Sequence, residues 1–113
     1  MRHQKIKGKL SRPTDRRKAL LRSLLRGLII SGKIEVTLSQ AKQTKRIMDR
    51  LLSLAKKDSL AAQRSAFRIL GDRKLVYNLF RQIAPKFPKG GATRLIHLSW
   101  RRGDGAKMAV LEL

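Results

Sequence analysis

Cysteine is absent from this chain of 113 residues. That removes disulfides, thiolate metal sites and cysteine nucleophiles, and it suits a reducing compartment. Acidic residues are nearly as scarce, with 7 Asp+Glu against 28 Lys+Arg. Asp15, Asp58 and Asp72 fall at expected helix starts, where a carboxylate satisfies free backbone N–H groups. No paired-carboxylate site is left over for acid–base chemistry. The two histidines, His3 and His97, stand far apart without metal-ligand spacing. No catalytic residue, metal site or cofactor is therefore expected, and the chain is not read as an enzyme. No apolar run approaches the roughly 18 residues of a membrane-spanning helix; "ALLRSLLRGLII" is interrupted by Arg22 and Arg26.

Aromatics are also few: three Phe, one Tyr and one Trp. Modules that read single-stranded bases need aromatic platforms. Phe67 and Phe80 sit at core spacing instead, so binding through shape and phosphate is expected over base stacking.

What the chain holds in excess is positive charge, +21 with a pI near 11.8. Such a charge repels itself unless a polyanion neutralises it, and nucleic acid is the usual one. An acidic membrane surface is the rival. Apolar residues still make up 42%, enough for the core of one compact domain. Residues 1–57 carry 17 basic and 3 acidic residues, and residues 58–113 carry 11 and 4, so the first half (+14) is twice as basic as the second (+7).

Two divisions are expected. Residues 1–13, "MRHQKIKGKLSRP", read as an extended basic arm without a core of its own, ordering on a nucleic-acid partner. Gly8 and Pro13 argue against an organellar transit helix. Residues 14–113 read as one α+β domain. "PTDRRKALLRSLLRGLIISGK" is a helix started by Pro13 or Thr14 and stopped at Gly32, with Leu21, Leu24, Leu25 and Leu28 at helical spacing. "KIEVTL" alternates like a half-buried strand. Ser39 is placed to cap the next helix, whose seam is Met48, Leu51, Leu52 and Ala55. A shorter helix follows, capped by Asp58 or Ser59 and stopped at Gly71. A fourth runs from Asp72 to Pro85. The tail reads as a hairpin, with Ile96, Leu98 and Trp100 on one side, a turn at "RRGDG", and Ala109, Leu111 and Leu113 on the return. Helix, strand, three helices and two strands predict a two-layer domain: a small three-stranded mixed sheet with helices on one face, burying all these stripes.

The candidate RNA-binding residues form three groups. Lys18, Arg22 and Arg26, and again Lys42, Arg46 and Arg50, step by four. Each makes a single-sign stripe at a pitch comparable to a phosphate backbone. Solvated helix faces usually mix signs. Arg16, Arg17 and Lys45 are candidates beside these stripes. Arg2, His3, Lys5, Lys7, Lys9 and Arg12 belong to the arm. Lys89 and Arg94 in "KGGATR", and Arg101 and Arg102 in "RRGDG", put cations beside glycines, where backbone N–H groups can approach phosphate; plain turns account for these two loops equally well.

The arm, "RKALLR", "IEVTLSQAK", "LFRQIAPKF", "GGATR" and "RRGDGAKMAVLEL", in this order from Met1 to Leu113, resemble the bacterial-type large-subunit ribosomal protein seventeen family. Ala92 departs from it, since an aromatic is usual between "GG" and "TR". The resemblance implies a structural constituent of the large subunit, bound to large-subunit ribosomal RNA near the peptide tunnel exit. It also implies neighbouring large-subunit proteins, protein thirty-two among them, and a cytoplasmic ribosome, with an organellar one left open. Neither a membrane partner nor a homo-oligomer is expected. The alternative is a basic DNA-binding or architectural protein; no recognition helix or coiled-coil seam marks one.

Overall fold

The computed structural model describes residues 13–87 and 93–113, together with Leu10. Helix α1 (Thr14–Ser31) begins after Pro13, whose carbonyl accepts from the Arg17 N–H at 2.9 Å. It ends where Gly32 turns left-handed (φ 79°) and returns its N–H to the Leu28 carbonyl, a conformation that costs a Cβ-bearing residue about 1 kcal/mol or more. Strand β1 (Lys33–Thr37) follows directly. Helix α2 (Leu38–Lys57) takes Thr37 as its N-cap residue, without a side-chain cap. Ser39, expected as the cap, lies inside the first turn because the strand passes into the helix with no connecting residue.

The interior of α2 is the spine of the fold. Ala41, Thr44, Met48, Leu51, Leu52 and Ala55 are buried along one face. Met48, Leu51, Leu52 and Ala55 meet Leu25, Leu28 and Ile29 of α1 and Ala62, Ala66 and Leu70 of α3 (Leu60–Leu70) in one apolar cluster. Of the two candidate caps for α3, Ser59 serves, accepting from the Ala62 N–H at 3.1 Å. Asp58 instead ends α2 in a left-handed conformation and lies 3.6 Å from Arg81.

Asp72 caps α4 (Arg73–Asn78) as expected, accepting from the Lys74 N–H at 2.9 Å. The regular helix does not reach Pro85. It widens into a π turn at Leu79–Ile83, closed by the Ala84 N–H on the Leu79 carbonyl, and tightens into a 3-10 turn at Ala84–Lys86. Pro85 supplies the reason: it has no N–H to donate, and its ring crowds the carbonyl four residues back. Leu75, Val76, Leu79, Phe80 and Ala84 are still buried.

Strands β2 (Arg94–Trp100) and β3 (Lys107–Glu112) complete a sheet in the order β1-β3-β2. Both pairings are antiparallel, so the sheet is not mixed. The C-terminal strand enters between β1 and β2, and the two strands that run the same way never touch. Leu111 lies between Ile34 and Leu95, and Ala109 between Val36 and His97. These rows face the helices, with Ala109 and Leu111 fully buried. Ile96 is therefore on the other side, opposite Val110, and a bulge between His97 and Trp100 shifts the register beyond it. Ile96 and Leu98 are each 39% exposed and Trp100 66%. The expected burial of that stripe is overturned: on β2 only Leu95 is half-buried against the core, and His97, on the same side opposite Ala109, is exposed.

Candidate nucleic-acid interface

The face of α2 opposite its buried seam carries Lys42, Arg46 and Arg50, all exposed. They follow from the same periodicity: every fourth position returns to one side after about 6 Å of rise. Lys45, one residue off this row, is tied to Asp49 at 2.9 Å. At the start of α1, Arg16 and Lys18 are exposed and Arg17 is half-buried. None of Arg16, Arg17, Lys18, Lys42, Arg46 and Arg50 has an acidic partner among the described residues. Pairs of exposed charges contribute little to stability, so a row without them costs the fold little and leaves its charge for a partner.

The second half of the α1 stripe has a different occupation. Arg22 donates from Nε to the Ile69 carbonyl at 3.1 Å and from Nη2 to the Arg68 carbonyl at 3.1 Å. Arg26 donates from Nε to the Leu70 carbonyl at 2.8 Å. The last carbonyls of a helix lack intrahelical donors and carry the negative end of its dipole. Two guanidinium groups from α1 thus cap α3 from outside. They also explain Gly71, the α3 C-cap residue at φ 71°. A Cβ there would lie 2.9 Å from Arg26 Nη2 and 3.3 Å from Arg22 Cζ. The stripe is not a uniformly exposed row, as the spacing alone predicts; its partners lie more than forty residues away.

The hairpin cations are braced as well. Arg94 bonds Glu112 through Nε at 2.7 Å and through Nη2. In the loop after β2, Arg101 Nε bonds Asp104 Oδ1 at 3.1 Å, and its Nη2 bonds the other carboxylate oxygen. The Ala106 N–H donates to the same carboxylate at 3.1 Å. These contacts, the Arg101 side chain first, pull Asp104 down to about 2 and raise Arg101. The "RRGDG" loop is thus a self-braced turn, with Arg102 exposed on it. Lys107 stands 5.4 Å over the Trp100 ring. Arg2, His3, Lys5, Lys7, Lys9, Arg12, Lys89 and the departing Ala92 lie outside the described residues.

A further cationic feature lay outside the candidate set. A groove of about 630 Å³ runs between α3 and α4, with Arg64, Arg68, Arg73 and Arg81 among its lining residues. Phe67, expected in the core, opens into it at 43% exposure, and Tyr77 at 64%. The signal was present in the sequence as Arg64, Phe67 and Arg68 at helical spacing, but core and groove readings share that spacing.

Cations so far in excess of their internal partners are the charge pattern that suits a polyanion. Among the described residues no group of three His, Asp or Glu side chains could hold a metal ion, and no helix is long and apolar enough to cross a membrane. The family described as Ribosomal protein L17 matches residues 20–113. The chain is similar to the large ribosomal subunit protein bL17 of Dictyoglomus thermophilum, 50% identical over 115 residues covering 100% of this chain and 99% of the relative. Its counterpart in Dictyoglomus turgidum is 47% identical over 99% of this chain and 98% of the relative. That of Fusobacterium nucleatum is 42% identical over 100% and 99%. The chain belongs to the Ribosomal protein L17 family, a family of structural components and not of enzymes.

Proposed function

We propose that this protein is a structural constituent of the large ribosomal subunit that binds large-subunit ribosomal RNA through phosphate contacts. The observation that carries the reading is the exposed row Lys42, Arg46 and Arg50 on α2, without acidic partners among the described residues. It stands with Arg16, Arg17 and Lys18 on the same basic half of the chain. The arm residues Arg2, His3, Lys5, Lys7, Lys9 and Arg12, with Lys89 and Arg102, add cations to the same partner. Arg22 and Arg26 serve it indirectly, by fixing α3 against α1. Family membership supports a place among other large-subunit proteins in a cytoplasmic ribosome. A site near the peptide tunnel exit, beside protein thirty-two, belongs to the same proposal.

Phosphate binding releases counterions, so log K falls with log salt in proportion to the contacts made. The double substitution Arg46→Ala and Arg50→Ala is expected to weaken binding to large-subunit RNA and to shrink the salt slope by about 1–2 units. Anisotropy titrations at several salt concentrations read both quantities. An unchanged affinity and slope would remove α2 from the interface. Equal competition by duplex DNA would favour the architectural alternative. Tagged protein is expected to travel with the large subunit on a sucrose gradient.

A further inference from the structure

We infer that the groove between α3 and α4 takes unpaired RNA bases, stacking them on Phe67 and Tyr77 while Arg64, Arg68 and Arg73 hold the adjoining phosphates. This rests on the RNA-binding reading above and adds a mode of recognition to it. Burial of an aromatic ring is worth roughly 25 cal/mol per Å² of apolar surface, yet Phe67 and Tyr77 are 43% and 64% exposed on facing sides of the Gly71–Asp72 turn. Phe80, buried beneath them, closes the floor.

The rim decides what such a trough receives. Among the described residues no acidic side chain lines it. Arg64, Arg68 and Arg73 have no acidic partner among the described residues. Helical spacing sets Arg64 and Arg68 about one turn apart, flanking the Phe67 side of α3, and Arg73 stands one turn before Tyr77 on α4. An amphipathic peptide would need a continuous apolar trough. Leu60, Val76 and Phe80 add apolar wall, but four guanidinium groups stand among the exposed Phe67 and Tyr77 rings, the combination that binds single-stranded nucleic acid, with rings stacking bases and cations following the backbone. Helix α2 itself carries no aromatic residue, and its row suits backbone contact alone. The two surfaces would therefore bind different parts of one RNA: paired helix on α2, unpaired nucleotides in the groove.

The test compares three RNAs on the full-length protein by anisotropy: a nine-residue oligoadenylate, an abasic oligomer with the same number of phosphates, and a short RNA duplex. The parent is expected to bind oligoadenylate at least about fivefold more tightly than the abasic oligomer. Phe67→Ala with Tyr77→Ala should abolish that difference and leave duplex binding unchanged. Tyr77→Phe, which keeps the ring, should retain it. Both altered side chains are exposed, and a parental melting curve confirms folding. A parent that binds oligoadenylate and abasic oligomer alike overturns the inference, as does a double variant that still prefers oligoadenylate. Displacement of no RNA but capture of an acidic Leu/Glu peptide by the groove also overturns it, in favour of a protein neighbour. If duplex binding survives while base preference is absent, only the groove inference falls; if no RNA binds at low salt, the proposed function falls with it.

Discussion

Replacing both Arg22 and Arg26 by Ala removes three hydrogen bonds to the last carbonyls of α3. Hydrogen bonds from a charged donor contribute about 1.5–3 kcal/mol when well shielded. Arg26 is part-buried and comes near the lower end of that range. The two Arg22 bonds are exposed and are discounted to about 0.5 kcal/mol each. The expected loss is therefore about 2–3 kcal/mol, out of the 5–15 kcal/mol typical of a small domain. In a chain this size that lowers the melting temperature by roughly 10 °C. Two effects could mislead. Removing two cations relieves self-repulsion and works the other way, so Arg46→Ala with Arg50→Ala is the control and should stay within about 0.5 kcal/mol of the parent. Loss of alkyl packing is separated by Arg22→Lys, which keeps the stem and the charge but cannot offer a planar fork to two carbonyls; it should recover less than half of the Arg22 contribution. Urea titration of the free protein, at fixed salt, measures the parent and the three variants. A double Ala variant as stable as the control pair would show that these guanidinium groups are surface ornaments and that α3 holds its end without them.

Other expectations are independent of this cap. Leu51→Ala and Phe80→Ala should each cost about 2–5 kcal/mol in a thermal melt, because both side chains are buried; a normal melt would misplace the core. Gly71→Ala should destabilise by about 1 kcal/mol or more from its left-handed backbone, and a shift in the Arg26 Nε NMR signal should report the crowded guanidinium. Asp104 is held at about 2, below its ordinary 3.8, so its contribution to the hairpin turn is complete above about pH 4–5 and lost as pH falls through 2. A carboxyl NMR titration reads this directly, and a midpoint near 3.8 would refute the bracing by Arg101.

The parts of the fold that were legible are those whose partners lie nearby in sequence. The α2 seam of Met48, Leu51, Leu52 and Ala55 declares itself within four turns, and every one of its residues is buried. Asp72 and Ser59 act on groups two and three residues away. Strand β2 was harder, because both of its alternating sets contain apolar residues. Ile96 and Leu98 make the more apolar set, yet pairing to β3 places Leu95 on the core side and leaves both of them exposed. Register depends on a strand that period-two reading treats in isolation. The candidate interface divides the same way. The exposure of the α2 row was legible because it lies opposite a buried seam on the same helix. Arg22, Arg26 and Arg94 were not, since their acceptors are supplied by α3 and by β3. The groove was missed because nothing local distinguishes a Phe67 that is covered from one that is not.

The sheet order carries a consequence for how the chain is made. The middle strand, β3, is also the last in sequence, and it pairs Lys33 with Glu112, about eighty residues away. A ribosome releasing this chain therefore exposes all four helices before either outer strand has anything to pair with. Until residues 107–112 emerge, Ile34 and Leu95 have no Leu111 to meet, and the carbonyl of Gly32 waits for the N–H of Leu113 at 2.9 Å. Closing so long a loop is entropically slow. The sheet therefore closes only when residues 107–112 insert between two strands already made, each of which needs that one insertion for its pairing.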